Sequence, residues 1–257
     1  MYFIVGGKGL AGSAIVSLLK NKKQEYEIIQ KENKNDFFGK SCDVLIFANG
    51  NPLKYKANAD PFFDFHASVA SVIEYVHKIN FKVFVLLSTV NIYDKKNSEE
   101  TTDENTVIDQ TKLDTYGYHK LLAENYVKQY CKNYLIFRLS GLVGENLLKN
   151  PAYDFIHKGK KVMISADSRL NFINTNKVAE TILKTIQLKI QNEIFNLASS
   201  NSIQIKEIKK IIGYDTEYTI DSNEHIQNYE INVKKIQKYN NMTTSEEAIK
   251  QYYESLK

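Results

Sequence analysis

Cysteine and proline are scarce in this chain, at two and three residues in 257. Cys42 and Cys131 are too few for a disulfide framework. They read as buried small apolar groups in a protein of a reducing, cytoplasmic compartment. Pro52, Pro61 and Pro151 mark no hinge, and no Gly/Ser-rich linker divides the sequence, so the tail is expected to pack on the rest. No apolar run approaches the ~18 residues of a membrane helix, and no membrane partner is expected. Met1 to Val5 run straight into glycines without a basic leader, so no signal peptide is expected either. Arginine is rarer still: of 34 basic residues only Arg138 and Arg169 qualify, in a chain of net charge +4. The lysine clusters at Lys20, Lys22 and Lys23 and at Lys206, Lys209 and Lys210 are not interleaved with aromatics. They read as solvated helix faces, and neither nucleic acid nor metal is expected as a partner.

What remains is ordinary globular composition, 43% hydrophobic and 25% charged, which excludes a disordered chain, a fibre or a repeat array. Short β-forming runs at 2–5, 26–29, 43–48, 83–87, 134–139 and 194–197 alternate with helical patterns at 11–19, 61–78, 116–130 and 177–190. Several of the runs are apolar throughout, as strands buried on both faces are. The expectation is an α/β, Rossmann-type doubly wound parallel sheet. Residues 141–174 read as loop-rich, and 205–212 and 244–256 as polar helices. The dinucleotide-binding unit is expected to comprise 1–140 with 175–200, and a small C-terminal substrate-binding cap 141–174 with 201–257.

Three signals carry chemistry. Gly6-Gly7-Lys8-Gly9-Leu10-Ala11-Gly12 sits between the first strand and the first helix. Glycines there allow a tight turn and bring backbone close to a pyrophosphate at the helix N-terminus. Gly6, Lys8, Gly9, Leu10 and Gly12 are therefore candidate cofactor contacts. Tyr116-Gly117-Tyr118-His119-Lys120 places Tyr116 and Lys120 on one helical face, although a tyrosine needs a nearby cation to act as an acid or base near neutrality and Tyr118 is a second tyrosine close by. Ser88-Thr89-Val90-Asn91-Ile92-Tyr93 ends a buried strand, where open α/β sheets bind ligands.

In this order the three signals resemble the extended short-chain dehydrogenase/reductase family. The likeness continues through 135–144, 171–173 and 195–198, covering about residues 2 to 200. It implies an NAD(P)-dependent epimerase, dehydratase or reductase of a nucleotide-linked sugar. Tyr116 would then be the proton donor, with Lys120 holding the nicotinamide ribose and Thr89 bonding the same substrate oxygen. Ser88, Asn91, Asn150 and Arg169 would face the substrate, while Arg138 could equally be structural. A homodimer through helices 62–78 and 116–130 is implied as well.

The departures from the family narrow the reading. About twelve residues separate the second strand from the third, where relatives fit another helix and strand, so the adenine side is expected to be trimmed. Ser68 replaces an asparagine common in relatives. Val90 and Asn91 stand where dehydratases carry an Asp-Glu pair and fucose-type epimerase-reductases a cysteine, which disfavours both chemistries. Keto reduction is the leading expectation, C4 epimerisation with retained NAD the alternative, and a non-catalytic nucleotide sensor the alternative from another class. After the second strand the chain reads Gln30-Lys31-Glu32. Glu32 could accept the adenosine ribose hydroxyls, whereas Lys31, Lys34 and Lys8 offer cations to a 2′-phosphate. NADP(H) is expected over NAD(H).

Overall fold

The computed structural model describes residues 1–51, 53–157, 164–213 and 226–257. Pro52 of the expected strand break and parts of the expected cap lie outside them. Strands β1 (Tyr2–Val5), β2 (Tyr26–Ile29), β3 (Ser41–Phe47), β4 (Asn80–Thr89), β5 (Tyr134–Leu139) and β9 (Glu193–Leu197) form one six-stranded sheet. Its order is β2-β1-β3-β4-β5-β9, and every pairing is parallel. The apolar strand runs have a direct cause. Ile4, Ile46, Val85, Leu87, Leu135 and Phe137 point to one face, against α1 (Leu10–Asn21) and α7 (Thr175–Gln187). The alternate residues Phe3, Val5, Leu45, Phe47, Phe84, Leu86 and Ile136 point to the other, against α4 (Ser71–Lys78) and α5 (Thr115–Tyr130). With both faces covered, no polar alternation survives.

The strand order reverses between β1 and β3, so the crevice at their C-terminal ends opens beside the glycine-rich turn. In a doubly wound sheet this is where ligands bind. Between β2 and β3 the chain makes a single 3-10 turn, Lys34–Phe37, and β2 is left as the sheet edge, the trimming that the short interval predicts.

Three elements differ from the sequence expectation. The helix expected over 61–78 is α3 (Pro61–Phe65), a π-helical turn at His66–Ala70, then α4; α2 (Lys54–Ala59) precedes it. A π turn leaves the apolar periodicity on either side almost intact, so the pattern does not reveal it. The described part of the 141–174 region is loop-rich but holds short elements that the sequence does not reveal. It contains β6 (Gly141–Val143), α6 (Pro151–Ile156), β7 (Arg169–Leu170) and β8 (Phe172–Asn174). Strands this short carry no readable alternation; β6 pairs with β8, and β7 with β10 (Ile203–Gln204) and, through a bridge from Arg169, with Asn228. The expected 205–212 helix begins as a 3-10 turn before α8 (Ile208–Ile212).

These pieces, with α9 (Lys234–Gln237) and α10 (Ser245–Ser255), complete the C-terminal part. A third apolar core of Phe155, Phe172, Ile205, Ile208, Ile249 and Tyr252 holds much of it together.

Candidate active site

The glycine turn is fixed by contacts that tolerate no side chain. Gly6 takes φ +79°, and a Cβ on Gly12 would lie 2.2 Å from the Gly6 carbonyl oxygen. That close approach seats the first turn of α1 on the loop. Gly9 caps α1 without a side-chain acceptor, and the first turn carries no acidic residue. The N-terminal amides therefore remain available to an anion.

At the end of β4, the Thr89 hydroxyl oxygen accepts hydrogen bonds from the Asn91 backbone N–H at 3.1 Å and from its side-chain amide at 3.2 Å. Helix α5 starts beside this turn, with Asp114 accepting from the Gly117 N–H at 2.9 Å. Gly117 is required because a Cβ there would lie 2.5 Å from the Asn91 carbonyl oxygen. Tyr116 and Lys120 are each only 9% exposed, whereas Tyr118 turns outward at 39%. Burial pushes the Tyr116 phenol up to about 12, against the lowering effect of a hydrogen bond from Thr89. Burial pushes the Lys120 ammonium down to about 8, opposed by the carboxylates of Asp64 and Glu124.

Thr89, Tyr116 and Lys120 line one cavity of about 840 Å³ together with Gly6, Lys8 and Gly9. Leu10, Ser88, Asn91 and Asn150 lie on its wall as well. A second cavity of about 950 Å³ shares Gly6, Gln30 and Asn49 with it and is lined by Lys31, Glu32 and Lys34. The trimmed sheet edge thus leaves a broad recess beyond β2.

Several expected substrate contacts have partners within the protein. Ser88 donates to Glu124 at 2.5 Å, and Glu124 is paired with Arg138 at 2.8 Å. Arg138 continues to the Tyr93 hydroxyl at 2.8 Å, so it belongs to a buried network behind the site. Arg169 pairs with Glu230 at 2.8 Å and donates to the Ser202 carbonyl at 2.7 Å. Asn150 caps α6, accepting from the Tyr153 N–H at 2.8 Å. Lys34 is held by Glu74 at 2.7 Å.

Other residues enter the site without an interpretable sequence signal. The Tyr229 hydroxyl donates to Asn91 Oδ1 at 2.8 Å from the distant C-terminal tail. Asp64, fully buried in α3, accepts from Asn51, Ser68 and His119. His119 had one available clue, its place beside Lys120 in the motif.

A family model for the NAD dependent epimerase/dehydratase family matches residues 2–198. The chain belongs to that family. It is an enzyme of the short-chain dehydrogenase/reductase type, and its cofactor is a nicotinamide nucleotide. Among solved structures, a UDP-galactose 4-epimerase is similar at 18% identity and TM-score 0.81, over 100% of this chain and 98% of that one. RMD from Pseudomonas aeruginosa, complexed with NADPH, is similar at 14% identity and TM-score 0.81, over 100% and 99%. A dTDP-4-dehydrorhamnose reductase from Clostridium acetobutylicum gives 18%, TM-score 0.78, and 99% of each chain. At these identities the likeness is one of fold. No curated protein matches the chain significantly.

The residues present fit the family's cofactor. The glycine turn and open α1 N-terminus suit a pyrophosphate, and no described residue bonds the Lys120 ammonium. At the junction of the two cavities, the buried Gln30 amide nitrogen lacks a partner. Among the described residues no group of His, Cys, Asp or Glu is placed to hold a metal, and no helix is long and apolar enough to cross a membrane.

Proposed function

We propose that this enzyme reduces a keto group on a sugar carried by a nucleotide diphosphate. NADP(H) is the favoured cofactor and NAD(H) the alternative. The observation that carries the reading is the convergence of Thr89, Tyr116 and Lys120 on the cavity that starts at the glycine turn. When bound, the nicotinamide supplies hydride to the carbonyl carbon. Tyr116 donates a proton to the carbonyl oxygen, and its buried phenol holds that proton across the neutral range. A hydroxyl has one donor and two acceptor positions. Asn91 fills both acceptor positions of Thr89, so the Thr89 proton is left to donate, to the Tyr116 oxygen at rest and to the reacting oxygen once substrate is bound. Among the described residues nothing bonds the Lys120 ammonium, which leaves its three donors to the nicotinamide ribose. Asn91 also faces the substrate side, and its amide has no acid–base chemistry with which to run an elimination.

The nucleotide-sugar class rests on the family and on neighbours named as acting on UDP- and dTDP-linked sugars. The cofactor preference rests on Gln30, an uncharged amide directly after β2, with Lys31 next to it on the recess; a carboxylate at that point would repel a 2′-phosphate. Lys8 adds a cation on the pyrophosphate side. The exposed aromatics of α3 and α5 support a homodimer, and the reducing-compartment reading of Cys42 and Cys131, both buried and unpaired, supports a cytoplasmic enzyme.

The test is NADPH consumption with nucleotide-linked 4-keto-6-deoxysugars, alongside native mass spectrometry of the purified protein. Substrate-dependent NADPH loss and an empty cofactor site are expected. Retained NAD with interconversion of UDP-hexoses and no net NADPH use would replace the reductase by the C4 epimerase.

A further inference from the structure

Lys120 presents a problem of charge. The residue is 9% exposed, and its Nζ lies 2.8 Å from the place a Cβ on Gly50 would take. Among the described residues it has no hydrogen bond or ion pair. A buried ammonium without a counter-charge loses its proton readily. The charged and titratable groups facing it are few. On its own helix these are Tyr116 and Glu124, and the Glu124 carboxylate is already committed to Arg138, with contacts of 2.8 and 3.2 Å. Strand β4 brings the hydroxyls of Ser88 and Thr89 to the same cavity, and the π turn brings the Ser68 hydroxyl close to Gly50. From α3 comes the carboxylate of Asp64, which with Glu124 acts on the Lys120 charge.

Asp64 is 0% exposed and acts only as an acceptor. The Asn51 amide donates to it at 3.0 Å, the Ser68 hydroxyl at 3.3 Å and His119 Nδ1 at 2.8 Å. Each donor bears on the surroundings of Lys120. Asn51 follows Gly50 and also brackets Leu53, accepting from its N–H at 3.0 Å and donating to its carbonyl at 3.2 Å. Ser68 Oγ lies 3.9 Å from the Gly50 Cβ position. His119 is the residue before Lys120.

We propose that Asp64 is a positioning residue of this site: its clamped carboxylate is the fixed counter-charge that keeps the Lys120 ammonium charged and seated against Gly50, ready for the cofactor ribose. The inference rests on the cofactor reading above. His119 meets Asp64 through a single ring nitrogen, Nδ1.

The test needs only cofactor. Affinity for NADPH and NADH is measured by fluorescence titration between about pH 6 and about pH 10 on the wild type, Asp64→Asn, Asp64→Glu and Lys120→Met. In the wild type, binding should weaken through a midpoint at or above about 8. Lys120→Met should abolish that limb, which assigns it. Asp64→Asn should move the midpoint down by about one pH unit, so that affinity at the wild-type midpoint falls about tenfold while acid-side affinity is kept. Asp64→Glu should restore the wild-type limb.

An unmoved midpoint in folded Asp64→Asn reduces Asp64 to a structural clamp and overturns the proposal. If that variant does not fold, the wild type still decides. An alkaline limit near about 6, as for buried lysines lacking a counter-charge, overturns it equally. A wild type that binds neither cofactor at any pH instead overturns the cofactor reading itself.

Discussion

At the scale of single residues, the site is set by atoms that leave no room. Gly117 admits the Asn91 carbonyl against α5, and that contact holds the turn whose amide and backbone orient Thr89. Gly117→Ala should therefore leave the protein folded but cut turnover at least tenfold with little change in cofactor affinity. Steady-state kinetics and fluorescence titration read the two effects separately. Tyr116→Phe should cut turnover by about 10²–10⁴-fold, as loss of a positioned general acid does, and keep cofactor binding. Tyr118→Phe, altering an outward side chain, should do neither, and a reversal between the two tyrosines would move the proton donor. The glycine loop and the Tyr116/Lys120 pair were legible in the sequence because spacing along one turn or helix fixes their relative placement. Asp64 and Tyr229 were not. They reach the site through folding contacts from 55 residues before His119 and 138 residues beyond Asn91, and no local period records such a meeting.

At the scale of elements, α5 must be held at a fixed height against β4 and β5 for Tyr116 to meet Thr89. The buried network does this: Ser88 of β4 and Arg138 of β5 both engage Glu124 of α5. Its members are 0% exposed for Glu124 and 3% for Arg138. Glu124→Ala would leave the guanidinium buried and unpaired, a loss of about 3–5 kcal/mol. Ser88→Ala should lose less, about 1.5–3 kcal/mol, the worth of one hydrogen bond to a charged group. Replacing both Glu124 and Arg138 by apolar residues of similar volume should recover most of the loss. Urea unfolding of the four proteins gives the comparison, and a double variant as weak as Glu124→Ala would show that the pair does more than compensate its own burial. The same scale explains which elements the sequence disclosed. The six sheet strands and α1, α5 and α7 have four or more residues of patterned apolarity. The two- and three-residue strands β6, β7, β8 and β10 have too few residues to show a period. The π turn between α3 and α4 adds one residue to a helical circuit without altering the composition around it.

At the scale of the whole molecule, the exposed aromatics of α3 and α5 call for an explanation. Phe62 is 75% exposed, Phe63 and Phe65 39% each, and Tyr118 39%. Ring contacts connect Phe62, Phe65 and Tyr118 into a strip: Phe62 with His66 at 4.6 Å, Phe65 with His66 at 6.3 Å, Phe65 with His119 at 5.5 Å and Tyr118 with His119 at 6.1 Å. Isolated exposed apolar residues need no explanation, whereas a contiguous aromatic strip on two neighbouring helices is a surface to be covered. A second copy of the chain is the proposed cover, through a two-fold axis that sets α3 and α5 of one protomer against those of its partner. Aromatic side chains that bury about 150–250 Å² each supply the apolar centre of an interface of about 800 Å² per partner, with the surrounding polar helix surface as its rim. Wild type should therefore run as a dimer by light scattering at micromolar concentration. Phe62→Asp combined with Phe65→Asp should run as a monomer, because two carboxylates would have to be desolvated at the centre of the contact. The monomer should still bind cofactor, since neither Phe62 nor Phe65 lines the cavity of Thr89, Tyr116 and Lys120. A wild type that is monomeric, or a double variant that stays dimeric, would place the partner surface elsewhere or remove it.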